Sequence, residues 1–145
     1  MHKSVRSSAG RRGHSVLELA FFLPFLIFMF VGAFDWGFFA QALIATEDAA
    51  RVAALYTSSS STSASDSNTA CVYALAEFKN LPNVGGISDC SNATLNVSAK
   101  AVTGPDGAAA SQVSVAYQTP RLIAIPGLLP AQVTITRVVL MKIRS

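Results

Sequence analysis

Sixteen consecutive residues, Leu19 to Phe34, carry neither a charge nor a hydrogen-bonding side chain. Val16 and Leu17 before the run, and the patch from Trp36 to Ala40 after it, extend it to about twenty residues, enough for a helix to span a bilayer core. A stretch this apolar cannot stay in water, so the chain is predicted to build outward from one membrane-crossing helix. Eight of the nine phenylalanines fall between Phe21 and Phe39, leaving only Phe78 for everything beyond. Whatever folds after the helix therefore has a core of Val, Leu, Ile and Ala, a thin core of the kind that often needs a staple or a partner.

The flanks of the run set its direction. Lys3, Arg6, Arg11 and Arg12 precede it, and no basic side chain follows until Arg51, which places the N-terminus in the cytoplasm by the positive-inside rule. The same four residues account for the formal charge of +3, since from His14 onward seven basic side chains face eight acidic ones. The body is thus nearly neutral, and no basic stripe remains to bind nucleic acid. Pro24 removes one backbone hydrogen bond from the span. Ala33 and Gly37 form a small-residue pair at helical spacing, and Trp36 sits where an outer-interface anchor belongs.

The helix is predicted to continue past the bilayer. Gln41 to Tyr56 reads QALIATEDAARVAALY, rich in strong helix formers, with Ala45, Ala49, Val52, Ala53 and Tyr56 on one face. Glu47 and Arg51 stand four apart in the favourable order. Thr57 to Thr69 is Ser- and Thr-rich and reads as a flexible linker. A short helix is expected over Ala70 to Leu81, capped by Asn68 or Thr69. Two alternating strands follow, around Leu95 to Ala99 and Val113 to Tyr117, on either side of the turn Gly104-Pro105-Asp106-Gly107. After a Pro-rich connection, Val133 to Ile143 forms a last β-branched strand. The expected architecture is α+β: a long N-terminal transmembrane helix extending into a small antiparallel-sheet domain. Its segments are a basic cytoplasmic leader (1–13), the helix (14–56), the linker (57–69) and an extracytoplasmic domain (70–145).

Cys71 and Cys90, both beyond the apolar run, read as one disulfide in an exported domain with a thin core. Two unpaired buried thiols are the alternative. The only histidines, His2 and His14, lie near the N-terminus, so no metal site is expected. No cofactor-binding motif is present, the serines lack a base, and the carboxylates are scattered as solvated surface charge. The exception is Glu18, at the mouth of the apolar run. A carboxylate costs about 2.5–3.5 kcal/mol at mid-bilayer, less near the interface, where it can snorkel to the headgroups. If the chain were cut after Gly13, however, Glu18 would be the fifth residue of a new chain, able to neutralise a neighbouring subunit's freed α-amino group.

Basic leader, Gly13, four residues, Glu18 and an apolar helix is the order found in the leader of type IV prepilins. The stretch RRGHSVLELAFFLPFLIFMFVGAFDWG, with the Ala-rich QALIATEDAARVAA after it, resembles the TadE-like family of minor pilins or pseudopilins of tight-adherence pilus systems. Leu19 departs from the aromatic residue that often follows the glutamate. The resemblance implies a structural, non-enzymatic protein of the bacterial inner membrane. Gly13 would be the cut-site residue for a prepilin peptidase, His14 the mature N-terminus and Glu18 the assembly carboxylate. Other pilins or pseudopilins and the inner-membrane assembly platform would be its partners. Two other readings stay open: a secreted, disulfide-bonded binding module released by signal peptidase after Ala42 of the Ala40-Gln41-Ala42 sequence, and an unprocessed bitopic scaffold.

Overall fold

The computed structural model describes residues 12–120 and 132–144, with side chains from residue 16. Helix α1 runs from Arg12 to Thr57. A single 3-10 turn, Ser63–Ser65, leads to helix α2, Ser67–Phe78. Strands β1 (Leu95–Thr103), β2 (Ala109–Gln118) and β3 (Thr134–Lys142) form one antiparallel sheet in the order β1-β2-β3. This is the α+β architecture expected, with the long apolar helix first. The Pro-rich connection lies largely in 121–131, outside the described residues.

The chain divides into two compact units, residues 1–37 and 38–145. In the first, the described helix is apolar on every side and exposed on nearly every side, with Phe21, Phe30 and Phe34 each more than three-quarters exposed. A helix with no polar face has nowhere to lie in water and is suited to lipid.

In the second unit, the remainder of α1 and α2 share one core with the sheet. The buried side of α1 is Ala42, Thr46, Ala49, Ala50, Ala53, Ala54 and Thr57. That stripe is turned from the face expected from sequence: Ala45 and Val52 are half-buried, and Tyr56 is exposed. Tyr56 stacks instead on Tyr73 of α2, with ring centroids 3.5 Å apart. Helix α2 contributes Ala70, Cys71, Ala74 and Phe78. The central strand supplies Val113, Val115 and Tyr117 in strict alternation, as a half-buried strand must. Phe78 and Tyr117, both fully buried, are the bulkiest of these groups, and their rings meet at 5.2 Å. The Tyr117 hydroxyl satisfies itself on Asn83 Oδ1 at 2.9 Å, and burial pushes its pKa up to about 12.

The segment read as a flexible linker is an ordered connection. Thr57, Ser58 and Ala64 are buried, and the Ser63 hydroxyl donates to the carbonyls of Thr57 and Ser60. The Ser111 hydroxyl of β2 lies 2.8 Å from Thr57 Oγ1 and 3.0 Å from the Ala64 carbonyl oxygen. At the other end of the chain, the amide of Arg144 donates to the Ser58 carbonyl. Short hydroxylated side chains compete for backbone groups, so a serine-rich run can tie itself into turns when it packs beside a sheet. The same chemistry moves the start of α2. Its N-cap is Asp66, not Asn68 or Thr69, and its carboxylate accepts from the amides of both of those residues. The Thr69 hydroxyl, with these amides, holds the Asp66 carboxyl below its usual range.

The β1–β2 turn follows the Gly-Pro-Asp-Gly signal. The Gly104 amide donates to the Ala108 carbonyl, and Gly107 takes a φ of 76°, which L side chains rarely adopt. A side chain at Gly104 would meet Asp106 Oδ1 at 2.9 Å, so the Asp106 carboxylate would have to move to admit one.

Candidate membrane-entry site and disulfide clamp

The residues singled out at the N-terminus fall on one helix. Gly13 and His14 have helical backbone in the first turn of α1, and Glu18 follows His14 by four residues. Glu18 is exposed, as are its apolar neighbours Val16, Leu17 and Leu19. From Val16 to Phe34 the helix covers about 28 Å at 1.5 Å per residue, close to the thickness of a bilayer core. It is long and apolar enough to cross a membrane, with a mean hydropathy of 2.3 over its most apolar window. Glu18 stands near one end of that span and Asp35 just past the other.

Asp35 is the residue that sequence reasoning missed. Counted among the scattered solvated carboxylates, it is only 5% exposed, and its Oδ2 has no hydrogen-bond partner among the described residues. The available signal was its position seven residues before Ala42, two turns up the same stripe of α1. Trp36, beside it, is 65% exposed, as an interfacial aromatic should be.

Cys71 and Cys90 form a disulfide, with Cα atoms 5.6 Å apart. It joins α2 to the loop ahead of β1 and does more than close a ring. The carbonyl of Cys90 accepts from the amide of Val97, and Asp89 Oδ1 accepts from both the amide and the hydroxyl of Ser91. Those bonds, the side-chain one foremost, hold the Asp89 carboxyl below its ordinary value. Asn92 uses its side chain as a turn element: Oδ1 accepts from the amides of Thr94 and Leu95. The clamp thus arranges backbone. Among the described residues no three His, Cys, Asp or Glu side chains gather as a metal site would require.

These features belong together on one segment, and the comparison with known families agrees. Residues 13–55 match the TadE-like protein family. The match begins at Gly13, includes Glu18 and the whole apolar span, and stops two residues short of the end of α1. No curated protein and no solved structure matches the chain. The TadE-like part is therefore helix α1, half lipid-suited surface and half domain core; the disulfide and the sheet lie beyond the matched residues.

Proposed function

We propose that this chain is a minor pilin-like structural protein of a tight-adherence type IV pilus, anchored in the bacterial inner membrane and processed by a prepilin peptidase after Gly13. The observation that carries this is the TadE-like match, which opens on Gly13 and runs through Glu18 into an apolar helix exposed nearly all round. The basic leader keeps the N-terminus in the cytoplasm, and the disulfide-bearing domain stands on the oxidising side. Cutting after Gly13 makes His14 a charged α-amine and leaves Glu18 one turn into the new helix, where a carboxylate also complements the positive end of the helix dipole. In an assembly of such helices, the Glu18 carboxylate of one subunit neutralises the amine of the next. Partners are then other pilins or pseudopilins and the inner-membrane assembly platform, and the role is structural, without catalysis or cofactor.

Release by signal peptidase is less compatible with the fold. Ala42 is fully buried in the middle of α1, and a cut after it would remove Phe38, Phe39 and Ala42 from the domain core.

Intact mass and N-terminal sequencing of the protein coexpressed with its prepilin peptidase test the cleavage. The expected mature chain begins at His14. A chain that keeps its leader, or one that begins at Leu43, would overturn it. Glu18→Ala is expected to insert and be cut normally, yet to abolish cross-linking to neighbouring pilins. Unchanged cross-linking and normal pili in that variant would sink the role given to Glu18.

A further inference from the structure

The two edges of the sheet are not alike. In the β2–β3 pair the residues that bond each other are fixed by the Thr119 amide donating to the Val133 carbonyl and the Ile143 amide donating to the Ala109 carbonyl. Counting by twos, the odd-numbered residues of β3 bond β2, and the amides and carbonyls of Thr134, Thr136, Val138, Leu140 and Lys142 point away from the sheet. Among the described residues the only hydrogen bond to these groups comes from Arg137 Nη1 to the Thr136 carbonyl, at 3.3 Å. All five side chains are exposed, Val138 by 53% and Leu140 by 44%.

The β1 edge, by contrast, is occupied from Leu95 to Ala99. The Leu95 amide donates to Asn92 Oδ1, the Val97 amide to the Cys90 carbonyl and the Ala99 amide to the Ser67 hydroxyl. The Ser67 hydroxyl in turn donates to the Ala99 carbonyl, so one side chain serves as a strand partner there. Folded proteins commonly blunt exposed edges because a row of free backbone groups templates pairing with another chain. Here one edge is blunted and the other, nine residues long and β-branched, is left open by the described residues.

Charge decides what fits. Arg137 stands exposed in mid-strand with no ion pair among the described residues, and Lys142, at the end of β3, already holds Asp106 at 3.5 Å. Strands β1, β2 and β3 contain no Asp or Glu, so a second copy has no acidic strand to offer and self-pairing would set Arg137 near its own copy. We propose that β3 is a docking edge for an extended acidic segment of a different protein, added as a fourth antiparallel strand. Backbone bonds to Thr136, Val138 and Leu140 supply the affinity, as in other strand additions. Side-chain alternation supplies the choice: apolar residues lie beside Val138 and Leu140 on the outer face, and carboxylates beside Arg137 on the other. The recognised sequence therefore alternates apolar and acidic residues.

The test uses the full chain in detergent micelles and a capped, fluorescent nine-residue peptide alternating Val and Glu, against the same peptide with Lys for Glu. Saturable binding of the Glu peptide, at least tenfold tighter than the Lys peptide and weakened by salt, is expected. On binding, hydrogen exchange should slow at the amides of Val138 and Leu140. Val138→Pro removes an outward amide without touching the β2–β3 ladder, and is expected to abolish binding while leaving the thermal midpoint unchanged. Arg137→Glu, a change at an exposed side chain, is expected to reverse the peptide preference and covers the case in which the proline variant does not fold. Failure of the Glu peptide to bind, equal binding of both peptides, or a preference unaltered by Arg137→Glu would overturn the proposal. So would a β3-dependent dimer of this chain that excludes both peptides.

Discussion

Replacing Phe78 by alanine isolates one of the two largest contributions to the core of the C-terminal unit. Phe78 is fully buried, stacks on Tyr117 and is the only phenylalanine after Phe39, so nothing nearby is large enough to refill its space. Deleting a buried phenylalanine side chain costs about 3–5 kcal/mol in transfer and cavity energy. The aromatic pair with Tyr117 places Phe78→Ala at the upper part of that range. Against a total stability of about 5–15 kcal/mol, this removes a large share. For a unit of roughly a hundred residues, a loss of about 4 kcal/mol lowers the melting midpoint by about 17 °C. The assay is near-ultraviolet circular dichroism of the full chain in micelles, following the tyrosine signal of the folded domain through a thermal scan. Phe78→Leu, which keeps most of the volume, is expected to cost about 1.5 kcal/mol or less. Phe28→Ala, in the exposed apolar helix, is expected to leave the domain midpoint where it was. A Phe78→Ala midpoint within 4 °C of the parent, or a Phe28→Ala shift of equal size, would show that the core does not rest on this pair.

Two further outcomes follow from the clamp and the caps. Reducing Cys71–Cys90, or changing both residues to serine, reopens a ring with a sequence separation of 19 and is expected to cost about 3 kcal/mol, read as the difference between melts with and without reductant. Asp66, Asp89 and Asp106 all have carboxyls held below their ordinary 3.8, by the Thr69 hydroxyl, the Ser91 hydroxyl and the Ala108 amide respectively. Depressed folded values add stability that is complete above 3.8 and is lost as pH falls through the lower folded values, so the midpoint is expected to hold from pH 7 to about pH 4 and then drop towards pH 2. Asp66→Asn, which keeps the cap but cannot titrate, should shallow that drop; a midpoint insensitive to pH between 5 and 2 contradicts the assignment.

Periodicity made most of the fold legible. The apolar run, the two alternating strands and the Gly-Pro-Asp-Gly turn each carry a local signal that the tertiary structure had no reason to override. What was hidden depended on partners distant in sequence. An alanine-rich helix has nearly the same hydropathy on every side, so Ala42 and Ala54 could not be told from Ala45 as core, and Tyr56 drew the expected face towards itself although Tyr73 holds it at the surface. The serine run from Thr57 reads as linker unless Ser111, more than fifty residues later, is known to lie beside it. Asp66 outcompeted Asn68 and Thr69 as cap because its carboxylate reaches both amides at once. The Cys71–Cys90 pair was legible through its isolation, while Gly13, His14 and Glu18 stand out by spacing alone. Asp35 was not, since a carboxylate following an apolar run looks like the place where water begins. The open edge of β3 was invisible for a different reason: which amides face outward is set by register, and register belongs to the pair of strands.

The closure of the β1 edge by Ser67 and by the Cys90 carbonyl gives the sheet a valency. With one edge sealed and one open, each folded molecule accepts a single strand and stops, so pairing ends in a complex of two chains. Break the disulfide, and the loop that brings the Cys90 carbonyl to Val97 loses its anchor on α2, while Asn92 and Ser67 still cap Leu95 and Ala99. What opens is the Val97 amide between two capped neighbours, too short a stretch to template a strand. The number of strands the sheet can hold is therefore set by the fold itself, and a single docking edge persists whichever state the two thiols are in.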